Sequence, residues 1–145
     1  NYPNDAIGTG PEVSDNFITV GSLTNKYGST MVSNFSNFGK VNVDVFAPGS
    51  DIYSTMPENE YDMQSGTSMA APNVAGVAAL IRSQYPSLTA SQIKKILMDS
   101  GLPIKAKVSV GANRQVKSLS EISTSGRIIN AYNALIMASQ MANSN

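Results

Sequence analysis

Residues 66–76 read Gly66-Thr67-Ser68-Met69-Ala70-Ala71-Pro72-Asn73-Val74-Ala75-Gly76. A serine follows a glycine turn, and from Ser68 to Gln84 small and apolar residues cover every side until Arg82. A helix that is apolar all round belongs in the middle of a domain, and its small residues let other elements approach closely. Pro72 is acceptable in it only near the first turn. The spacing predicts a central buried helix ending near Gln84, with Val74, Val77, Ala78 and Ile81 inside and Ser68 accessible at its start. A helix N-terminus carries free N–H groups and the positive end of the dipole, and such donors can stabilise a developing oxyanion. Ser and Thr are also the ordinary N-caps. On these residues alone the cap is the simpler reading.

Working outward, Val41–Phe46 alternates strictly and stops at Ala47-Pro48-Gly49, as a strand entering a turn does. Ile52–Thr55 and Glu60–Gln64 flank Met56-Pro57-Glu58-Asn59 and predict a hairpin. Phe17–Val20 is a short β-rich run closed by Gly21, preceded by a Pro-, Gly- and Asn-rich surface loop over Asn1–Asn16. After the central helix, Thr89 and Gln92 form a capping box, with Leu88 and Ile93 as its hydrophobic staple. Ile93, Ile96 and Leu97 form the inward stripe, Lys94 and Lys95 point to water, and Gly101 supplies the stop. Residues 103–124 are an irregular loop or small hairpin. A last helix spans roughly Arg127–Met141, with Ile128, Tyr132, Leu135, Ile136 and Ser139 inward and the tail Ala142–Asn145 fraying. No internal repeat and no domain linker is visible.

The composition excludes several functions. The chain has 145 residues, 41 % of them apolar and 14 % charged, against a usual charged share of about 25 %. Ten basic and ten acidic residues cancel, which argues against nucleic-acid or anionic-membrane binding. No apolar run reaches the roughly 18 residues a spanning helix needs, and residues 1–30 carry no signal peptide. There is no Cys, hence no disulfide, thiolate metal site or thiol nucleophile, and no His. Any imidazole chemistry must come from outside these residues. Sparse charge without Cys suits an exported bacterial protein.

The longer string around Ser68 changes the weighing. G-T-S-M-A-x-P-x-V-A-G resembles the nucleophile motif of the subtilisin-like serine proteases, the subtilase or peptidase S8 family, and every fixed position matches. Phe17-Ile-Thr-Val-Gly21 is similar to the family's V-I-x-V-G strand. Ser33–Gly39 followed by Asp44–Gly49 is similar to its F-S-x-x-G … D-V-x-A-P-G stretch, and Ile52–Thr55 to I-x-S-T. Gly126–Ala131 resembles the opening of the family's C-terminal helix. The matches come in family order over most of the chain.

The resemblance implies an α/β fold: residues 1–145 as the C-terminal half of a three-layer subtilisin-like catalytic domain with a mainly parallel sheet. It implies peptide-bond hydrolysis with Ser68 as nucleophile and the Ser68 N–H as one oxyanion donor, supported by Gly66, Thr67, Met69 and Pro72 of the motif. The family's other triad members, Asp and His, and its oxyanion Asn precede this part of the chain. Asn1 and Asn4 do not match the Asn segment, and Asn73 stands where the family often has a non-catalytic His. The isolated chain is therefore expected to be inactive. Its expected partners are a peptide or protein substrate, the missing N-terminal half of the domain, and other copies of itself. No cofactor is expected in this chain, and a structural Ca²⁺ only in the intact domain. The other reading is a non-catalytic pseudo-protease or processing fragment acting as a binding or assembly module, which the intact motif disfavours.

Other short patterns are weaker. Ser91-Gln-Ile-Lys94 and Ser14-Asp-Asn16 fit the S-x-x-K and S-D-N motifs of penicillin-binding enzymes, but in the wrong order and without K-T-G. Asn34-Phe-Ser36 is a glycosylation sequon relevant only to a eukaryotic secretory route. Asp44 is expected in a structural hydrogen-bonding role, since one carboxylate falls far short of the roughly 6–8 oxygens that Ca²⁺ takes. Asp5, Glu12, Asp15 and Asp51 read as solvated, and Met56, Met63 and Met69 as gap fillers.

Overall fold

The computed structural model describes residues 10–144. In chain order the elements are β1 (Val20–Leu23), β2 (Val45–Pro48), β3 (Ile52–Met56), β4 (Glu60–Gln64), α1 (Thr67–Gln84), α2 (Ala90–Asp99), β5 (Leu102–Pro103), β6 (Val108–Val110), β7 (Gln115–Lys117), α3 (Leu119–Ile122), β8 (Arg127–Ile128) and α4 (Ala131–Ala142). Asn1, Asn4 and Asp5 lie outside the described residues, as does Asn145.

The main sheet has the order β1-β2-β8-β5. β1 pairs parallel with β2, β2 parallel with β8, and β5 antiparallel with β8. β3–β4 and β6–β7 are separate antiparallel hairpins. Helices α1, α2 and α4 pack one face of the sheet, where Val20, Val45 and Ala47 meet Val74, Ile81, Ile96 and Ala134. On the other face Leu23 and Phe46 pack with Val108, Val110, Leu119 and Ile122. The fold is thus α/β with a mainly parallel sheet.

The chain is buried from Val43 into β2 as far as Ala47, because both faces of this segment are covered. The alternation of 41–46 does not carry through as read. Asp44 and Val45 both donate to the Thr19 carbonyl, at 2.9 and 3.4 Å. This two-against-one pairing, as at a bulge, puts Val43 on the far face and Val45 on the helix face. Gly21 does not close β1; it sits inside it opposite Phe46.

The capping box is present: Gln92 N donates to Thr89 Oγ1 at 3.2 Å, and Thr89 N to Gln92 Oε1 at 2.8 Å. Ile93, Ile96 and Leu97 are buried behind it. Gly101 is not the left-handed stop expected. The turn closes at Ser100, whose N–H donates to the Ile96 carbonyl. Glycine follows because β8 runs alongside: a Cβ at residue 101 would lie 2.7 Å from the Ile128 carbonyl oxygen.

The last helix starts later than its apolar pattern suggested. Arg127 and Ile128 are drawn into the sheet as β8, and Asn130 caps α4 through Asn133 N at 2.8 Å. The buried line is then Ala134 and Ala138. Tyr132, expected inside, is 74 % exposed, and Ile136 is also exposed.

α1 departs most from expectation. Ala70, Val74 and Ile81 are buried and Val77 and Ala78 half-buried, but Ala71, Ala75, Gly76, Ala79 and Leu80 are exposed. Within the described residues, the sheet, α2 and α4 cover one side of the helix and nothing covers the other.

Candidate functional site

The site is built where the end of β2 meets the start of α1, the β3–β4 hairpin lying between them in the chain. Beyond Pro48, the N–H groups of Gly49 and Ser50 donate to the Leu23 carbonyl, at 3.0 and 3.1 Å. Gly66 N in turn donates to the Gly49 carbonyl at 2.8 Å. The helix start is therefore fastened to the C-terminal ends of β1 and β2, the end of an open parallel sheet where ligands bind. The fastening needs glycine at 49, since a Cβ there would lie 2.5 Å from Ser22 Oγ, 2.6 Å from the Gly66 carbonyl oxygen and 2.9 Å from Ala70 Cβ. Gly49 reads in the sequence only as a turn residue; its closeness to Gly66 is a long-range fact.

Gly66 is the N-cap of α1, with extended backbone and no side-chain cap bond. Thr67 and Ser68 are thus the first and second helical residues, so the cap reading of Ser68 does not hold. Ser68 is exposed, and its hydroxyl has no hydrogen-bond partner among the described residues. The next N–H groups turn back into the helix, Met69 N to the Gly66 carbonyl at 3.0 Å and Ala70 N at 3.3 Å. Those of Thr67 and Ser68 find no acceptor among the described residues. Two unpaired N–H donors and an uncommitted hydroxyl thus share the positive end of a helix with no acidic residue in its first turn.

Pro72 is the sixth helical residue, deeper than the first turn. Its ring replaces the N–H that would have bonded the Ser68 carbonyl. Asn73 supports the next turn: its side-chain amide donates to the Met69 carbonyl at 3.1 Å and to the Pro48 carbonyl at 3.0 Å. It clamps α1 to β2 beside Ser68, a role its sequence position did not disclose. Met69 is half-buried, its sulfur facing Gly66.

At the opposite end of β2 a second cluster corrects two expectations. Lys94 does not point to water; it is 8 % exposed, and its ammonium donates to Glu12 at 2.6 Å and lies 3.6 Å from Asp44 Oδ1. Glu12 is accordingly ion-paired rather than solvated. Asp44, fully buried, accepts from Thr19 N at 2.8 Å, the structural role expected of it. Burial pushes its carboxyl up from 3.8 to about 6, aided by Glu12, while the Thr19 N–H and the Lys94 ammonium pull the other way. An ammonium already serves these carboxylates, so the cluster does not fit Ca²⁺. Asp44 lies four residue steps of about 3.3 Å each before Pro48, so it is no partner for Ser68.

A family model described as Peptidase S8, subtilase family, matches residues 1–129. The chain is 45 % identical over 87 residues to Subtilisin DY of Bacillus licheniformis, covering 60 % of this chain and 30 % of that protein. It is 38 % identical over 122 residues to alkaline serine exoprotease A of Vibrio alginolyticus, covering 83 % of this chain and 21 % of that protein. Among solved structures, the A-subunit of the AB5 toxin from E. coli superposes with a TM-score of 0.67 at 30 % identity, over 83 % of this chain and 37 % of that one. The chain thus spans less than a third of either curated relative.

Proposed function

The chain belongs to the subtilase family, and from that membership we propose that it is the C-terminal part of a subtilisin-like serine endopeptidase domain with Ser68 as its nucleophile. The observation that carries this is the start of α1: an exposed Ser68 hydroxyl and its own N–H, both without a partner among the described residues. In the completed domain an imidazole takes the Ser68 proton as Oγ attacks the scissile carbonyl. The carbonyl oxygen gains negative charge, and the Ser68 N–H donates to it at the positive end of the helix. The intermediate collapses to an ester on Ser68, and the departing amine takes the proton from the imidazole. Water then attacks the ester, releasing the acid and restoring the hydroxyl.

With no His in the chain, the imidazole belongs to the remainder of the domain, together with the Asp that orients it and a second oxyanion donor. The same remainder covers the open face of α1. We assign the 145-residue chain no peptidase activity of its own, and the whole protein an exported location acting on polypeptides. Any structural Ca²⁺ of the intact domain lies away from Asp44.

The experiment is hydrolysis of a chromogenic peptide by the protein that carries this chain, with and without Ser68→Ala. Turnover lost in the variant, with an unchanged circular dichroism spectrum, is the expected result. Turnover that survives Ser68→Ala contradicts the assignment.

A further inference from the structure

Beside the Ser68 turn lies an open basin of about 780 Å³ that the proposed chemistry does not use. Its walls are the loop after β1, the β6–β7 turn and the segment joining β2 to β3, and Ser65 brings its rim to within three residues of Ser68. Its floor is fixed. Ser33, almost wholly buried, shares hydrogen bonds of 2.8 Å with both Ser22 Oγ and Ser50 Oγ. The walls are tied to each other by Ser109 N donating to the Ser29 carbonyl at 2.8 Å.

Two basic side chains line it, Lys26 from the first loop and Arg114 from the β6–β7 turn. Neither is ion-paired among the described residues. The one carboxylate of the lining, Asp51, accepts from the Ser65 hydroxyl at 3.5 Å. Asp51 and Arg114 hold left-handed backbone conformations, with φ of 55° and 48°. A hydroxyl-lined basin with two cations unpaired among the described residues against one carboxylate, and a volume in the usual range for binding sites, suits an anionic ligand.

We propose that this basin binds a carboxylate-rich polypeptide segment through Lys26 and Arg114 and so holds acidic polypeptides beside Ser68. That last step rests on the proteolytic reading of Ser68; the binding itself does not. An extended peptide advances about 3.3 Å per residue, so a segment a few residues from the bond at Ser68 reaches the rim at Ser65.

The test reads binding, so its outcome is independent of whether Ser68 is the nucleophile. A fluorescein-labelled peptide of alternating Ala and Glu, and its Gln twin, are titrated with the protein by fluorescence anisotropy. The Glu peptide is expected to bind about tenfold tighter or better at low salt. The preference should vanish near 1 M salt, where the Debye length falls to about 3 Å. The double variant Lys26→Glu/Arg114→Glu should abolish the preference, and the neutral pair Lys26→Gln/Arg114→Gln should reduce it. The control Lys40→Glu/Lys105→Glu, an equal charge change outside the basin, should leave it intact. Equal binding of the two peptides overturns the proposal, as does a preference that survives the basin reversal or is lost equally in the control.

Discussion

The hydroxyl of Ser68 is two positions too far along to cap α1, so its removal costs the fold little. Ser68→Ala is expected to change unfolding free energy by less than about 0.5 kcal/mol, as exposed substitutions do. Thr89→Ala, which deletes one half of a capping box, should cost about 1 kcal/mol. Paired urea titrations compare the two. At Asp44 the sign of the pH effect follows from a raised value. Its neutral form is favoured in the fold, so its contribution is fully present below pH 3.8 and lost as pH rises through about 6. Stability should therefore climb between pH 7 and 4 by this route, and Asp44→Asn should flatten that part of the profile, as melting temperature against pH will record. Lys94→Met leaves the buried Asp44 and the half-buried Glu12 without their ammonium and should cost about 3 kcal/mol. Thr89 was legible because its partner is three residues away. Lys94 was not: Glu12 lies 82 residues off, and a lysine on an amphipathic helix looks the same whether it meets water or a buried acid.

Among the elements, β2 carries the site, and what the sequence discloses of it is uneven. The Pro48-Gly49 stop was legible, as were the β3–β4 hairpin and the start of α2, because each rests on local turn or cap chemistry. The reversal of faces at Asp44–Val45 was not, since it arises from one carbonyl on a neighbouring strand. The start of α4 is hidden in the sequence for a similar reason. Arg127 and Ile128 suit a helix by pattern, but pairing with β2 and β5 draws them into the sheet. Gly49 tests how firmly β2 positions α1. Gly49→Ala pushes a methyl against Ser22, the Gly66 carbonyl and Ala70. It should destabilise by about 1–3 kcal/mol and, in the complete protein, lower kcat more than Ser65→Ala does. Steady-state kinetics on the two variants checks this ordering. Equal kcat values would mean that the Gly49–Gly66 contact does not position Ser68.

For the whole molecule, the open face of α1 is the dominant fact. Leu80 is 51 % exposed on a helix whose other exposed side chains include Ala71, Ala75 and Ala79. The motif at Ser68 was legible as a string, and so was the helix that follows it. The depth of that helix was not, because an apolar side chain does not say which part of a domain will cover it. The isolated 145-residue chain should self-associate through this face, giving a light-scattering mass above 15.3 kDa on size exclusion; a monodisperse monomer would show that the face needs no cover. The central claim, that Ser68 is a nucleophile activated by an imidazole from outside this chain, is met most directly by covalent labelling. A fluorophosphonate should modify the protein that carries this chain once, on the peptide containing Ser68, and leave the isolated 145-residue chain unmodified under the same conditions. A label on another residue, or equal labelling of the isolated chain, would contradict the account.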